Sequence, residues 1–76
     1  MKNIKSKLKY YLRELIKDFS TLDHNDYERE EELEIRFSEI VEVMLNNKII
    51  DDKWCNDHSR HQVPHILYAL LYKLEK

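Results

Sequence analysis

The sequence predicts an all-α fold: a small antiparallel three-helix bundle with a short extra helical turn between its second and third helices. Three observations predict it. The 76 residues include no glycine and one proline, Pro64, whereas tight β-hairpins usually need glycine at positive φ. Apolar residues recur three and four positions apart in three long stretches, the period of a helix with one buried stripe. Polar, turn-forming residues separate those stretches.

The first helix is expected from about Asn3 to Phe19, with Ile4, Leu8, Tyr11, Leu12, Leu15, Ile16 and Phe19 as its apolar stripe. Tyr10 and Lys7 point away from that stripe. Ser20, Thr21, Asp23 and Asn25 form a polar turn. Asn25 or Asp23 would cap a second helix reaching about Asn46, and its early carboxylates suit the positive end of the helix dipole. Leu33, Phe37, Ile40, Val41 and Met44 form its core stripe, flanked by Val43 and Leu45. Asn46-Asn47 offers a helix stop in a chain without glycine. Asp51-Asp52 is expected to cap one or two turns carrying Trp54, a lid over one end of the core. The third helix runs from about Gln62 to Leu74, with Pro64 in its first turn. Its stripe is Val63, Ile66, Leu67, Leu70, Leu71 and Leu74. Residues 1–76 make one domain, near the lower size limit for an unaided hydrophobic core.

Charge along the chain is sorted. From Met1 to Lys17 six cations face Glu14 alone, a net +5; from Asp18 to Leu45 ten carboxylates face Arg29 and Arg36, a net −8. The total of −2 conceals this separation. Side-by-side packing of the first two helices would bring part of it together as ion pairs along their rim, each worth ~0.2–1 kcal/mol when exposed.

On the second helix Glu28, Glu31, Glu32, Ile35, Glu39 and Glu42 fall on the side away from the core stripe. A solvated helix back usually mixes signs, because like charges four residues apart repel. An isoleucine ringed by glutamates fits a docking face for a basic protein surface, in which charge speeds association and the apolar anchor slows release. On the third helix His61, His65, Tyr68 and Tyr72 form an outer line at spacings of four, three and four. Such amphipathic rings suit a second contact, to the target or to a twin subunit in a homodimer.

Two other chemistries have residues in their favour. Cys55, His58, His61 and His65 have the spacing Cys-x2-His-x2-His-x3-His, built from residue types zinc prefers. No ligand pair has the common zinc spacing, and Ser59 with Gln62 reads equally well as a capping box, so no metal or other cofactor is assigned. Lys2, Lys5, Lys9, Arg13 and Lys17 could touch phosphates, but the third helix is a poor base reader and the acidic helix would repel nucleic acid. Nucleic acid is therefore disfavoured as a partner. No glycine-rich phosphate loop exists and no convergent polar set in a cleft is evident, so no catalytic residue is expected.

The single cysteine excludes an intramolecular disulfide and suits a reducing cytoplasm. The N-terminal apolar residues are interleaved with lysines, which predicts neither a signal-peptide core nor a membrane span. The expectation is a cytoplasmic regulator or inhibitor, of the immunity, antitoxin or anti-host-factor type. It would act by protein–protein interaction, with the Cys/His regulator and the nucleic-acid protein as alternatives.

Overall fold

The computed structural model describes residues 4–75; Lys2, and Asn3 as the start of the first helix, lie outside them. Four helices follow one another: α1 (Ile4–Ser20), α2 (Tyr27–Asn46), α3 (Asp52–His58) and α4 (Val63–Glu75). Among the described residues there is no strand. The fold is all-helical, and α1 packs against both α4 and α2 while α2 also touches α4.

The C-terminal end of α1 and both ends of α2 and α3 are satisfied locally. Ser20 Oγ donates to the Lys17 carbonyl (2.7 Å), and Thr21 Oγ1 reaches the carbonyls of Lys17 and Asp18, closing α1 where its last acceptors would otherwise be orphaned. The α2 cap is Asp26, whose Oδ1 accepts from the Arg29 amide at 3.0 Å. Neither Asn25 nor Asp23 fills that place. Asp23 Oδ1 accepts from the Asn25 amide and its carbonyl from the Asp26 amide, so Asp23 shapes the turn that delivers Asp26.

The stop at the other end of α2 places Lys48, φ +59°, where glycine is usual. The Ile49 amide reaches the Met44 carbonyl (2.9 Å) and the Lys48 amide the Leu45 carbonyl (3.0 Å), the paired bonds of a Schellman close. Asn47 adds a side-chain bond to the Val43 carbonyl. Asp51 caps α3 through the Trp54 amide (2.8 Å). The expected capping box at Ser59 and Gln62 does not form, because Ser59 instead donates to the Asn56 carbonyl and ends α3.

The core is Leu8, Leu12 and Leu15 of α1, Leu33, Ile40 and Met44 of α2, Leu67, Leu70 and Leu74 of α4, and Ile50 between α2 and α3. Each such side chain contributes roughly 1.5–3 kcal/mol relative to exposure. α3 buries no residue fully, but its half-buried Trp54 packs against the core. No buried polar or charged side chain is found among the described residues. Two expected core residues lie elsewhere. Ile4, in the first turn of α1, is 37% exposed, and Tyr11 is 53% exposed. Tyr11 sits at the stripe's edge, about 60° from Leu8 at 100° per residue, and lines an open groove towards α2.

Candidate protein-binding face

The outward side of α2 is continuous from its Asp26 cap to Asn46. Glu28, Glu31, Glu32, Ile35, Glu39 and Glu42 are all exposed, Ile35 by 55%. Two grooves border this line. One, of about 600 Å³, lies between α1 and α2, with Leu8, Leu15, Ile40 and Val43 along its floor and Tyr11 and Glu39 among its other walls. The other, of about 520 Å³, is shared by α2, α3 and α4, and Glu42 lies on it. Glu39 and Glu42 thus stand at opposite margins of the acidic face, with Ile35 between them.

The distribution of ion pairs explains why this face keeps its charge. Both arginines of α2 turn towards α1, where Arg29 and Arg36 each approach Asp18 Oδ2 at 3.5 Å. Arg29 also holds Glu32 at 2.6 Å. Among the described residues Glu28, Glu31, Glu39 and Glu42 form no ion pair. The rim between α1 and α2 is therefore pinned by the minority charge of each helix, the reverse of the expected lysine-to-glutamate pairing. Helical geometry supplies the reason. Lys9, Arg13 and Lys17 step by four along the flank of α1 whose Arg13 pairs with Glu75 of α4 (3.3 Å), and that flank is turned away from α2. Asp18 went unnoticed in the sequence, although Arg29 and Arg36 are the sole cations of α2 and stand seven residues apart on one side.

On α4, His65 is exposed, as are Tyr68 (60%) and Tyr72 (62%). His61 departs from their line. It precedes the helix, in the turn before Val63, with its ring 5.7 Å from that of His58. His58 is half-buried, stacks on Trp54 at 3.8 Å and 21°, and holds the Trp54 carbonyl through Nδ1 at 2.8 Å. That bond commits one ring nitrogen to the backbone.

Cys55, His58 and His61 line the smaller groove, but His65 does not. Among the described residues no three His, Cys, Asp or Glu side chains are gathered as metal ligands would be. Burial, then the negative charges of Asp52 and Asp51, pushes the Cys55 thiol up. A thiol so placed is a weaker nucleophile at neutral pH than an ordinary one.

On α1, Lys5, Lys7 and Lys17 are exposed and Lys9 is half-buried. Among the described residues no helix is long and apolar enough to cross a membrane. No family model matches the chain, and searches of curated proteins and of solved structures likewise find no significant match.

Proposed function

We propose that this chain is a small cytoplasmic protein-binding regulator or inhibitor, a three-helix bundle of α1, α2 and α4, that docks the acidic face of α2 on a basic partner surface. One observation carries the reading: Ile35, more than half exposed, stands among Glu28, Glu31, Glu39 and Glu42, which form no ion pair among the described residues, while Arg36 is drawn to Asp18 and Arg29 is shared between Asp18 and Glu32. Unneutralised carboxylates raise the association rate with a cationic surface, and a central apolar side chain lengthens the residence time. Tyr68 and Tyr72 supply a second contact, to the target or to a twin subunit.

The alternatives draw less support. A Cys55, His58, His61 and His65 site would need His65, which does not line the groove of the other three, brought round to them. Phosphate binding through α1 would begin with Arg13 already holding Glu75. Catalysis would begin from a thiol pushed away from its reactive form.

The test is capture of partners from the native host at low and high salt, compared between the wild type and the double variant Ile35→Asp with Glu32→Lys. Loss of a salt-sensitive partner in the variant is expected. Equal retention by both proteins removes α2 as the docking face.

A further inference from the structure

Two exposed lines on this molecule carry the same pattern with opposite sign. On α2, Ile35 has Glu28 and Glu32 seven and three residues before it, and Glu39 and Glu42 four and seven after it. On α1, Tyr10 is 59% exposed, with Lys7 three residues before it and Arg13 and Lys17 three and seven after it. Glu14 is the one carboxylate a turn away from Tyr10. Steps of three, four and seven set charges one and two helical turns, about 5 and 11 Å, from each central apolar group. The Tyr10 ring is held edge-on to Tyr11 at 5.7 Å and 64°, which lowers the cost of fixing it in a contact.

Both lines keep most of their charge inside one molecule, with Glu32 held by Arg29 and Arg13 held by Glu75 as the exceptions. Lys7, Lys17, Glu28, Glu39 and Glu42 form no ion pair among the described residues. The Asp18 clasp on Arg29 and Arg36 occupies the rim where the lysines of α1 and the glutamates of α2 would otherwise meet. Complementary charge must come from another molecule, and a net −2 raises little general repulsion between copies.

We infer that a second copy of this chain is a ligand of the acidic face, with Lys7, Tyr10 and Lys17 of one copy docking antiparallel on Glu39, Ile35 and Glu28 of the next. The Tyr10 ring covers Ile35, and the charges close around them. The two faces differ, so the contact is heterologous, and each added copy leaves one face of each kind open at the ends of a ring-forming or growing chain. This inference rests on the proposed docking role of α2 and adds a regulation of it. Self-association covers the acidic face until a basic partner displaces the twin.

Sedimentation velocity of the full chain over a concentration series, at low and at high salt, tests it. Species larger than a monomer are expected at low salt, increasing with concentration and dissolving at high salt. Lys7→Glu with Lys17→Glu, and separately Glu28→Lys with Glu39→Lys, each give a monomer alone; mixed, they associate again. Because these four side chains are exposed, an unchanged circular-dichroism spectrum confirms that the variants fold. Tyr10→Ser and Ile35→Ser each weaken self-association about tenfold or more. A wild type monomeric at every concentration in low salt overturns the inference, as does a mixture that stays monomeric. If that monomer still captures a salt-sensitive partner lost in the Ile35→Asp variant, only self-association fails. If it captures none, the docking role fails as well.

Discussion

The two seams that α1 makes with its neighbours are built differently. Towards α4 the contact is the more extensive one, and Arg13–Glu75 closes its exposed edge. Towards α2 the helices part enough to leave a groove of about 600 Å³, and Asp18 grips two arginines across it. One seam has the larger area and a single ion pair, the other a smaller area and one carboxylate shared by two arginines. The clasp also sets the surface, because it turns Arg29 and Arg36 towards α1 and leaves Glu28, Glu31, Glu39 and Glu42 without an ion pair among the described residues, while Glu32 stays with Arg29. In this molecule the looser seam and the unpaired acidic face are two consequences of one arrangement.

The largest expected effect comes from emptying the closed seam. Leu12 and Leu70 have no exposed surface, so Leu12→Ala or Leu70→Ala leaves a cavity and should cost about 2–5 kcal/mol in chemical denaturation. In a 76-residue domain that is a large share of the total stability. Ile35→Asp should by contrast stay within about 0.5 kcal/mol of wild type, because its side chain already faces water. A large loss of stability from Ile35→Asp would mean that this residue packs inside the fold, and the docking face would go with it.

Opening the clasp is expected to have a smaller effect. Asp18→Asn removes the shared acceptor of Arg29 and Arg36. Two partly exposed pairs are worth ~0.2–1 kcal/mol each, so the loss should be about 1 kcal/mol at low salt and smaller at high salt. The released arginines can then swing towards their own glutamates, and salt-sensitive partner capture should weaken although no residue of the acidic face has changed. Capture equal to that of the wild type would separate the clasp from the face.

Helix identity and extent were legible in the sequence because the apolar period is long and unbroken. The stripes of Leu8–Leu15, Leu33–Met44 and Leu67–Leu74 became the core, and absent glycine excluded the hairpins. Ile35 was legible for the same reason, since a continuous helix fixes its angle to Leu33. What depends on the neighbour of each helix was not. Tyr11 belongs to the stripe by period, yet lies on a groove because α2 stands off from it. His61 continues the Tyr/His spacing, yet precedes α4, since the helix begins only at Val63, next to Pro64. The rim pairs reversed their expected polarity because the lysine flank of α1 is turned away from α2. Period gives the angle of a side chain about its own helix, while packing decides what that angle meets.

The end of α2 offers a gain of about 1 kcal/mol. Lys48 holds φ +59°, where a Cβ clashes with the following carbonyl at a cost of roughly 1–2 kcal/mol. Lys48→Gly removes the clash but adds freedom to the unfolded chain, so the net stabilisation should be about 1 kcal/mol, read as a raised denaturation midpoint with an unchanged slope. The side chain is exposed and makes no ion pair among the described residues, so little is lost with it. Lys48→Ala keeps the Cβ and should bring none of the gain. If alanine stabilises as much as glycine, removal of the positive charge that shares a groove with Lys73 is responsible, and the left-handed turn is not strained.

The smallest effect belongs to the far side of α2, where Cys55 sits against the groove shared with α3 and α4. Its thiol is pushed up first by burial and then by Asp52 and Asp51, so the folded chain holds the proton at a pH where the unfolded chain has released it. That difference contributes stability in full below the ordinary thiol range, and the contribution fades as pH rises through the higher folded value. Iodoacetamide should therefore modify the folded protein more slowly than the urea-unfolded chain at neutral pH. Asp52→Asn should shift the rate–pH profile downward, and by less than burial shifts it upward, since Asp52 is the second cause and not the first. An Asp52→Asn profile that coincides with the unfolded chain would reverse that ranking, and make the α3 carboxylates rather than the packing of Trp54 and Cys55 on the core the main guard on this thiol.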